Sequence, residues 1–348
     1  MLIERIEAKW IELFADVFRQ CALQPGATVA ILAESQSRPI LIELAELAAQ
    51  RIGARPFRLI VPTPPLATMV PVRSTGASDA LRQLGPALAA LKASTFVVDL
   101  TVEGLLHAVE LPEILSGGAR VLMISNEHPE TLERTRPDPA LEAKVRSGIR
   151  LLKAATTMRV TSAAGTDLTI GLAGARLGGG WGTTAKPGTI THWPGGLCLA
   201  FPARGSVNGT LVMAPGDANL TFKSYLRETI RMTIADDYVT AIDGDGLDAE
   251  LMRAYLAGWN ERDAYAVSHV GWGMNPQARW DALTFYDKRD CNGTELRAFA
   301  GNFLYSTGAN EVAGRHTLGH FDLPLRHCTI TLDDRVVVAD GVLQGDLA

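Results

Sequence analysis

Four times between residues 6 and 125, a stretch with helical spacing of apolar side chains gives way to a short run of Val, Ile and Leu. Ile6, Trp10, Leu13, Phe14, Val17, Phe18 and Cys21 form a stripe over residues 2–21, and VAILAE (Val29 to Glu34) follows. RPILIELAELAAQRIGA leads to FRLIV, ALRQLGPALAALKAS leads to TFVVDL, and a helical pattern over Val102 to Glu110 leads to ARVLMIS. Strands without polar alternation must be covered on both faces. Helices between such strands are the connections that a parallel sheet requires. The pattern predicts an α/β fold whose first part is a Rossmann-like or flavodoxin-like layer structure.

The texture changes further on. PTPPLATMVPV (Pro62 to Val72) reads as a loop, and polar, proline-punctuated Asn126 to Pro139 closes the first domain. A helix over Leu141 to Ala155 leads into MRVTSAAGTDLTIGL, a hairpin turning at Ala164-Gly165. Glycine and threonine dominate residues 171–196, Val207 to Met213 is β-rich, and a helix capped near Asp248 covers Ala249 to Trp259. CTITLDDRVVVADGVL is a hairpin turning at Asp333-Asp334. We therefore expect residues 1–150 to form an α/β scaffold domain and residues 151–348 a mixed α+β domain carrying the chemistry.

Several function classes are excluded early. Net charge is −5 with no Lys/Arg-rich run, so nothing draws the chain to nucleic acid or anionic lipid. The N-terminus lacks the parts of a secretory signal, and apolar runs stop short of a membrane span. Cys21, Cys198, Cys291 and Cys328 are scattered without CxxC spacing, which suits reduced thiols in a cytoplasmic protein. LAESQSRP follows the first strand where a dinucleotide fold would carry GxGxxG, so a nucleotide cofactor is not expected.

Only seven histidines are present, and their contexts differ. In GRHTLGHFDLPLRH, His320 and Asp322 stand at i and i+2, which in an extended segment puts both on one face. With a third ligand, His269 of SHVGWGMNP being the best placed, they would form a two-histidine, one-carboxylate face of the kind that holds Fe(II). His316 and His327 compete for the role, but Gly319 and Pro324 discourage the helix His316 would need, and His327 is expected at a core edge. His192 of ITHWPGG precedes a turn and could face a pocket. His128, in a polar loop, is expected at the surface. His107, in a helical pattern, would reach a pocket only where two domains or subunits meet.

The motifs of the second half resemble those of the M29 metalloaminopeptidases: GTDLTI, HWPGGLCLAFPARGSVNGT, GWGMNP and HFD. Those peptidases use two divalent metals. Here Leu197 stands where one of their glutamate ligands falls, His269 replaces another glutamate, and Leu304 replaces a histidine. The altered pattern resembles the 2,5-dihydroxypyridine 5,6-dioxygenase family of bacterial nicotinate degradation over essentially the whole chain. That resemblance implies one non-haem Fe(II) on His269, His320 and Asp322, with His107, Arg297, Ser306 and His192 around the substrate. It also implies O2-dependent opening of an aromatic N-heterocycle to N-formylmaleamate and a homo-oligomer. His192 or His107 would take a ring-hydroxyl proton, Arg297 would stabilise anionic oxygen, and Ser306 would hydrogen-bond the substrate. The alternatives are a dinuclear M29-like peptidase that rebuilt its second site, a dioxygenase of a related substituted dihydroxypyridine, and a binding protein that kept only the fold.

Overall fold

The computed structural model describes residues 5–65, 76–288 and 290–348; residues 66–72 of the expected Pro-rich loop lie outside these. Strands β1 (Thr28–Glu34), β2 (Arg55–Val61), β3 (Phe96–Leu100) and β4 (Arg120–Met123) form a parallel sheet in the order β2-β1-β3-β4. Both faces are covered, as the unbroken apolar runs require. Val29, Ile31 and Ala33 of β1 pack under helices Ala8–Gln20 and Pro39–Ile52. Ala30 and Leu32 pack on the opposite side with Leu91, Leu111 and Ile114. Phe14 and Phe18 are fully buried, each contributing about 1.5–3 kcal/mol by leaving water. Ile6, assigned to the same stripe, is instead exposed because the helix begins only at Ala8.

The sheet's fifth strand, Ile190–His192, comes from beyond residue 150 and pairs in parallel with β4. It ends at His192, beside the carboxyl end of β4, where open α/β sheets place their ligands.

Residues beyond 150 build two large antiparallel sheets around a common core, besides a two-stranded one of Ala218–Asn219 with Ser224–Tyr225. The larger has eight strands and includes both expected hairpins, Thr157–Ser162 with Asp167–Gly171 and Cys328–Leu332 with Arg335–Ala339. The smaller runs Phe321–Leu325, Phe303–Thr307, Val267–Gly273, Leu197–Phe201, Arg176–Gly180 in spatial order. Its alternation sorts the residues by face. Cys198, Ala200, Val270, Trp272, Phe303, Tyr305, Phe321 and Leu323 enter the common core. Leu197, Leu199 and Leu304 point the other way, as do His269, Ser306 and Asp322, towards the side where Glu103, His107 and Met123 lie.

Three local expectations need correction. Residues 102–110 are turn, not helix, because the Asp99 carboxylate accepts hydrogen bonds from Thr101 N (3.0 Å) and Leu105 N (2.8 Å). Gly104 completes that turn at φ +81°, where a Cβ would lie 2.3 Å from Met123 Sδ. His128 is buried, and its Nδ1 accepts from Glu130 N at the start of helix Pro129–Arg134. His327 is no core-edge residue; it sits exposed at φ +55° in the turn before Cys328. No helix among the described residues is long and apolar enough to cross a membrane.

Candidate active site

His269, on the central strand of the smaller sheet, and Ser306 and Asp322, paired in register on the next two strands, converge at one point. His320 immediately precedes the strand Phe321–Leu325, and its carbonyl is fixed by Thr221 Oγ1 and Tyr255 OH, both at 3.1 Å. His320 Nε2 lies 3.1 Å from Asp322 Oδ2, so the i, i+2 pair does share a face. His269 Nε2 lies 3.6 Å from Asp322 Oδ1. Ligands in adjacent positions of one ion, each at about 2.1 Å, are about 3 Å apart. No group of three or more His, Cys, Asp or Glu among the described residues is spaced as a metal cage; these donors bond one another instead.

His269 makes two serine contacts. Ser268 Oγ donates to the Ala309 carbonyl and lies 3.1 Å from His269 Nδ1, and Ser306 Oγ donates to Asp322 Oδ1 and lies 3.0 Å from His269 Nε2. Either ring nitrogen can donate to its serine, and the tautomer protonated at Nδ1 leaves Nε2 with the lone pair that a divalent cation needs. Burial pushes the His269 imidazole down to about 3, with His320 and Arg297 adding to the effect and Asp322 opposing it. Burial resists ionisation of Asp322, but Arg297, whose Nε donates at 2.6 Å, and the two histidines hold its carboxyl well below the usual range.

Two further histidines border the point. His107, brought in by the turn after β3, stacks on His269 at 5.7 Å between centroids and lies 5.8 Å from His320. Burial, then His269 and His320, holds its pKa well below the ordinary value. His192 donates from Nδ1 to the Pro194 carbonyl at 2.6 Å, leaving Nε2 unprotonated beside the cavity. Burial lowers its pKa as well. The cavity, about 40 Å³, has an aliphatic wall of Leu197, Leu199 and Leu304 and a polar wall containing Asn292, Thr294 and Arg297. All seven residues singled out from the sequence meet here. Ser268, Asn292 and Thr294 were not singled out, although Ser268 adjoins His269 and Asn292-Gly293-Thr294 reads as a turn. His316 lies outside, in a separate surface cavity.

A parallel α/β layer facing a sheet that carries this His/His/Asp cluster defines a protein of the M29 aminopeptidase fold with a single candidate ligand set. In agreement, AmpT from Thermus thermophilus matches with a TM-score of 0.64 at 15% identity, covering 97% of this chain and 99% of AmpT. The 2,5-dihydroxypyridine 5,6-dioxygenase (NicX) family model matches residues 9–345, and the chain belongs to that family. A relative from Pseudomonas putida KT2440 described as 2,5-dihydroxypyridine 5,6-dioxygenase is 37% identical over 338 residues, 96% of this chain and 95% of the relative. The solved structure of 2,5-dihydroxypyridine dioxygenase from the same organism superposes with a TM-score of 0.92 at 35% identity, covering 98% and 99% of the two chains.

Proposed function

We propose that this protein is a mononuclear non-haem Fe(II) dioxygenase that opens the ring of 2,5-dihydroxypyridine between C5 and C6 to give N-formylmaleamate, in nicotinate degradation. The observation that carries the reading is the convergence of His269, His320 and Asp322, with aliphatic Leu197 and Leu304 where a second metal would need donors. Leucine cannot coordinate a cation, which disfavours the dinuclear peptidase.

The donor set fits Fe(II): His269 in the tautomer protonated at Nδ1, the Asp322 carboxylate, which Arg297 and the histidines keep ionised, and His320 Nε2, 3.1 Å from that carboxylate. Fe(II) so held would supply O2 activation beside the substrate at positions the protein leaves free. His192 Nε2 takes the ring-hydroxyl proton; burial keeps this nitrogen unprotonated at neutral pH. Arg297 balances the charge of Asp322 and of the substrate anion. Ser306 donates its hydroxyl proton to the other oxygen of the Asp322 carboxylate. His107 covers the imidazoles, and the three leucines seat the ring face and exclude water.

We further assign residues 1–150 to a scaffold domain and 151–348 to the metal-binding domain, the strand Ile190–His192 reaching back across that division. A cytoplasmic homo-oligomer is our reading of the rest: all four cysteines are buried and free, and Ile60 and Phe285 leave apolar surface exposed. The test of function is anaerobic Fe(II) loading followed by O2 uptake with 2,5-dihydroxypyridine. One O2 consumed per ring lost, at about one iron per chain, is expected; no uptake by iron-loaded protein refutes the assignment.

A further inference from the structure

The polar wall of the cavity is anchored at its far end by Asn302, whose Nδ2 donates to the Leu296 and Arg297 carbonyls at 3.3 and 2.7 Å. Asn292, Thr294 and Arg297 sit on residues 290–298, a segment whose only regular structure is the one-turn helix Thr294–Ala298. The first domain grips this segment at three points. Arg38 Nη2 bonds Asp290 Oδ1 at 2.6 Å, with both side chains buried. Arg134 embraces Glu295 through two bonds of 2.7 and 3.0 Å, and the Glu295 side chain is fully buried. Between them, Glu127, on the turn after β4, is fully buried; its Oε1 accepts from Thr294 N at 2.7 Å and its Oε2 from Asn292 N at 3.4 Å.

We propose that Glu127 is a positioning residue for substrate: one carboxylate from the scaffold domain fixes the backbone of Asn292 and Thr294, and with it where their side chains meet the cavity. The substrate class is that of the proposed function, on which this inference rests. Each of the two backbone N–H groups meets one of the two carboxylate oxygens. The other grips cannot substitute. Arg38 and Arg134 hold the side chains of Asp290 and Glu295, whereas Glu127 holds the main chain of Asn292 and Thr294, from which two lining side chains branch. Asp322, by contrast, keeps Ser306 and His320 when the segment shifts. Disturbing Glu127 should therefore damage substrate binding more than retention of the ion.

The experiment compares wild type with Glu127→Gln, which keeps the shape but turns one acceptor into a donor, and Glu127→Asp, which keeps the charge but shortens the reach. Four quantities are read: the Kd of 2,5-dihydroxypyridine under anaerobic conditions, KM against kcat, iron per chain, and the melting temperature. The expected result for Glu127→Gln is a Kd raised at least tenfold, a larger factor in KM than in kcat, unchanged iron and a melting temperature within a few degrees. Glu127→Asp should fall between it and wild type. An unchanged Kd overturns the inference, as does loss of iron in step with affinity. Failure of both variants to fold also overturns it, since Glu127 would then be a structural group alone. If wild type itself neither binds nor oxidises 2,5-dihydroxypyridine, the proposed function falls, a result distinct from all of these.

Discussion

Asp322→Asn is the sharpest perturbation of the cluster, because it keeps the volume and removes one charge. The Arg297 Nε contact of 2.6 Å is between side chains only 12% and 4% exposed, so solvent screens it little. Removing one partner of a buried pair costs about 3–5 kcal/mol. The asparagine carbonyl still accepts a hydrogen bond, returning about 1 kcal/mol of that. The expected loss for metal-free protein is then about 2–4 kcal/mol, a fall in melting temperature of roughly 4–16 °C at about 2–4 °C per kcal/mol. The cation also loses its one anionic donor, so Fe(II) affinity should drop at least about a hundredfold, or about 2.7 kcal/mol.

Arg297→Met supplies the contrast. It breaks the same ion pair and should destabilise metal-free protein by a similar amount. It also frees Asp322 Oδ2 and removes a nearby positive charge, so Fe(II) affinity should hold or rise, while turnover falls by about 10²–10³ through the lost anion partner. Calorimetry of metal-free protein and anaerobic competition with a chromophoric chelator read both quantities. Equal affinity in wild type and Asp322→Asn would remove Asp322 from the ligand set. A parallel fall in affinity for both variants would mean that the ion pair shapes the site without Asp322 binding the ion.

Other consequences can be measured independently. His192→Gln removes the unprotonated Nε2 at the cavity and should lower kcat by about 10²–10⁴ in stopped-flow O2 consumption, with iron content unchanged; a loss below threefold would acquit His192 as the base. Burial pushes the Asp99 carboxyl from its ordinary 3.8 up to about 6, against its hydrogen bonds from Thr101 and Leu105. Folded protein then keeps a proton that unfolded chain has lost, so this group's stabilisation is complete below about pH 4 and falls as pH rises to 6. Above that it costs about 3 kcal/mol. The stability difference between wild type and Asp99→Asn should change by that amount between pH 4 and 7, wild type faring relatively better at pH 4; denaturant titrations giving a constant difference would refute the assignment. Arg315→Met strands the fully buried Asp237, which also accepts from Gly205 N and Val207 N, and should cost about 3–5 kcal/mol in urea unfolding. A loss under 1 kcal/mol would show that those N–H groups satisfy the carboxylate alone.

How far the sequence reveals this molecule depends on the range of the force involved. Burial periodicity is local, so the strands at Val29, Phe57, Phe96 and Arg120 and the hairpins at Gly165 and Asp333 are legible where they stand. The His320–Asp322 pair is legible for the same reason, since a two-residue spacing survives any tertiary arrangement. Residues 102–110 fail because their apolar spacing is outcompeted by a single carboxylate: Asp99 bonds the backbone of Thr101 and Leu105 and turns the chain before a helix can start. His128 fails likewise; it caps the helix Pro129–Arg134 that its polar surroundings conceal. The convergence of His107, His192 and His269 belongs to no local pattern. It requires the end of β3, a fifth parallel strand contributed from residue 190 onward, and the inner strand of a separate antiparallel sheet to meet. Resemblance to a family can point to those residues from sequence, because a relative's fold has already brought them together. The Glu127 bonds to residues 292 and 294 have no such motif, and only the packing of the turn after β4 against that segment displays them. On the proposed reading, the donors stand on the smaller antiparallel sheet while Asn292 and Thr294 are held by a residue that follows the parallel sheet, so substitutions around Glu127 are expected to change substrate affinity without changing the proposed ligand set.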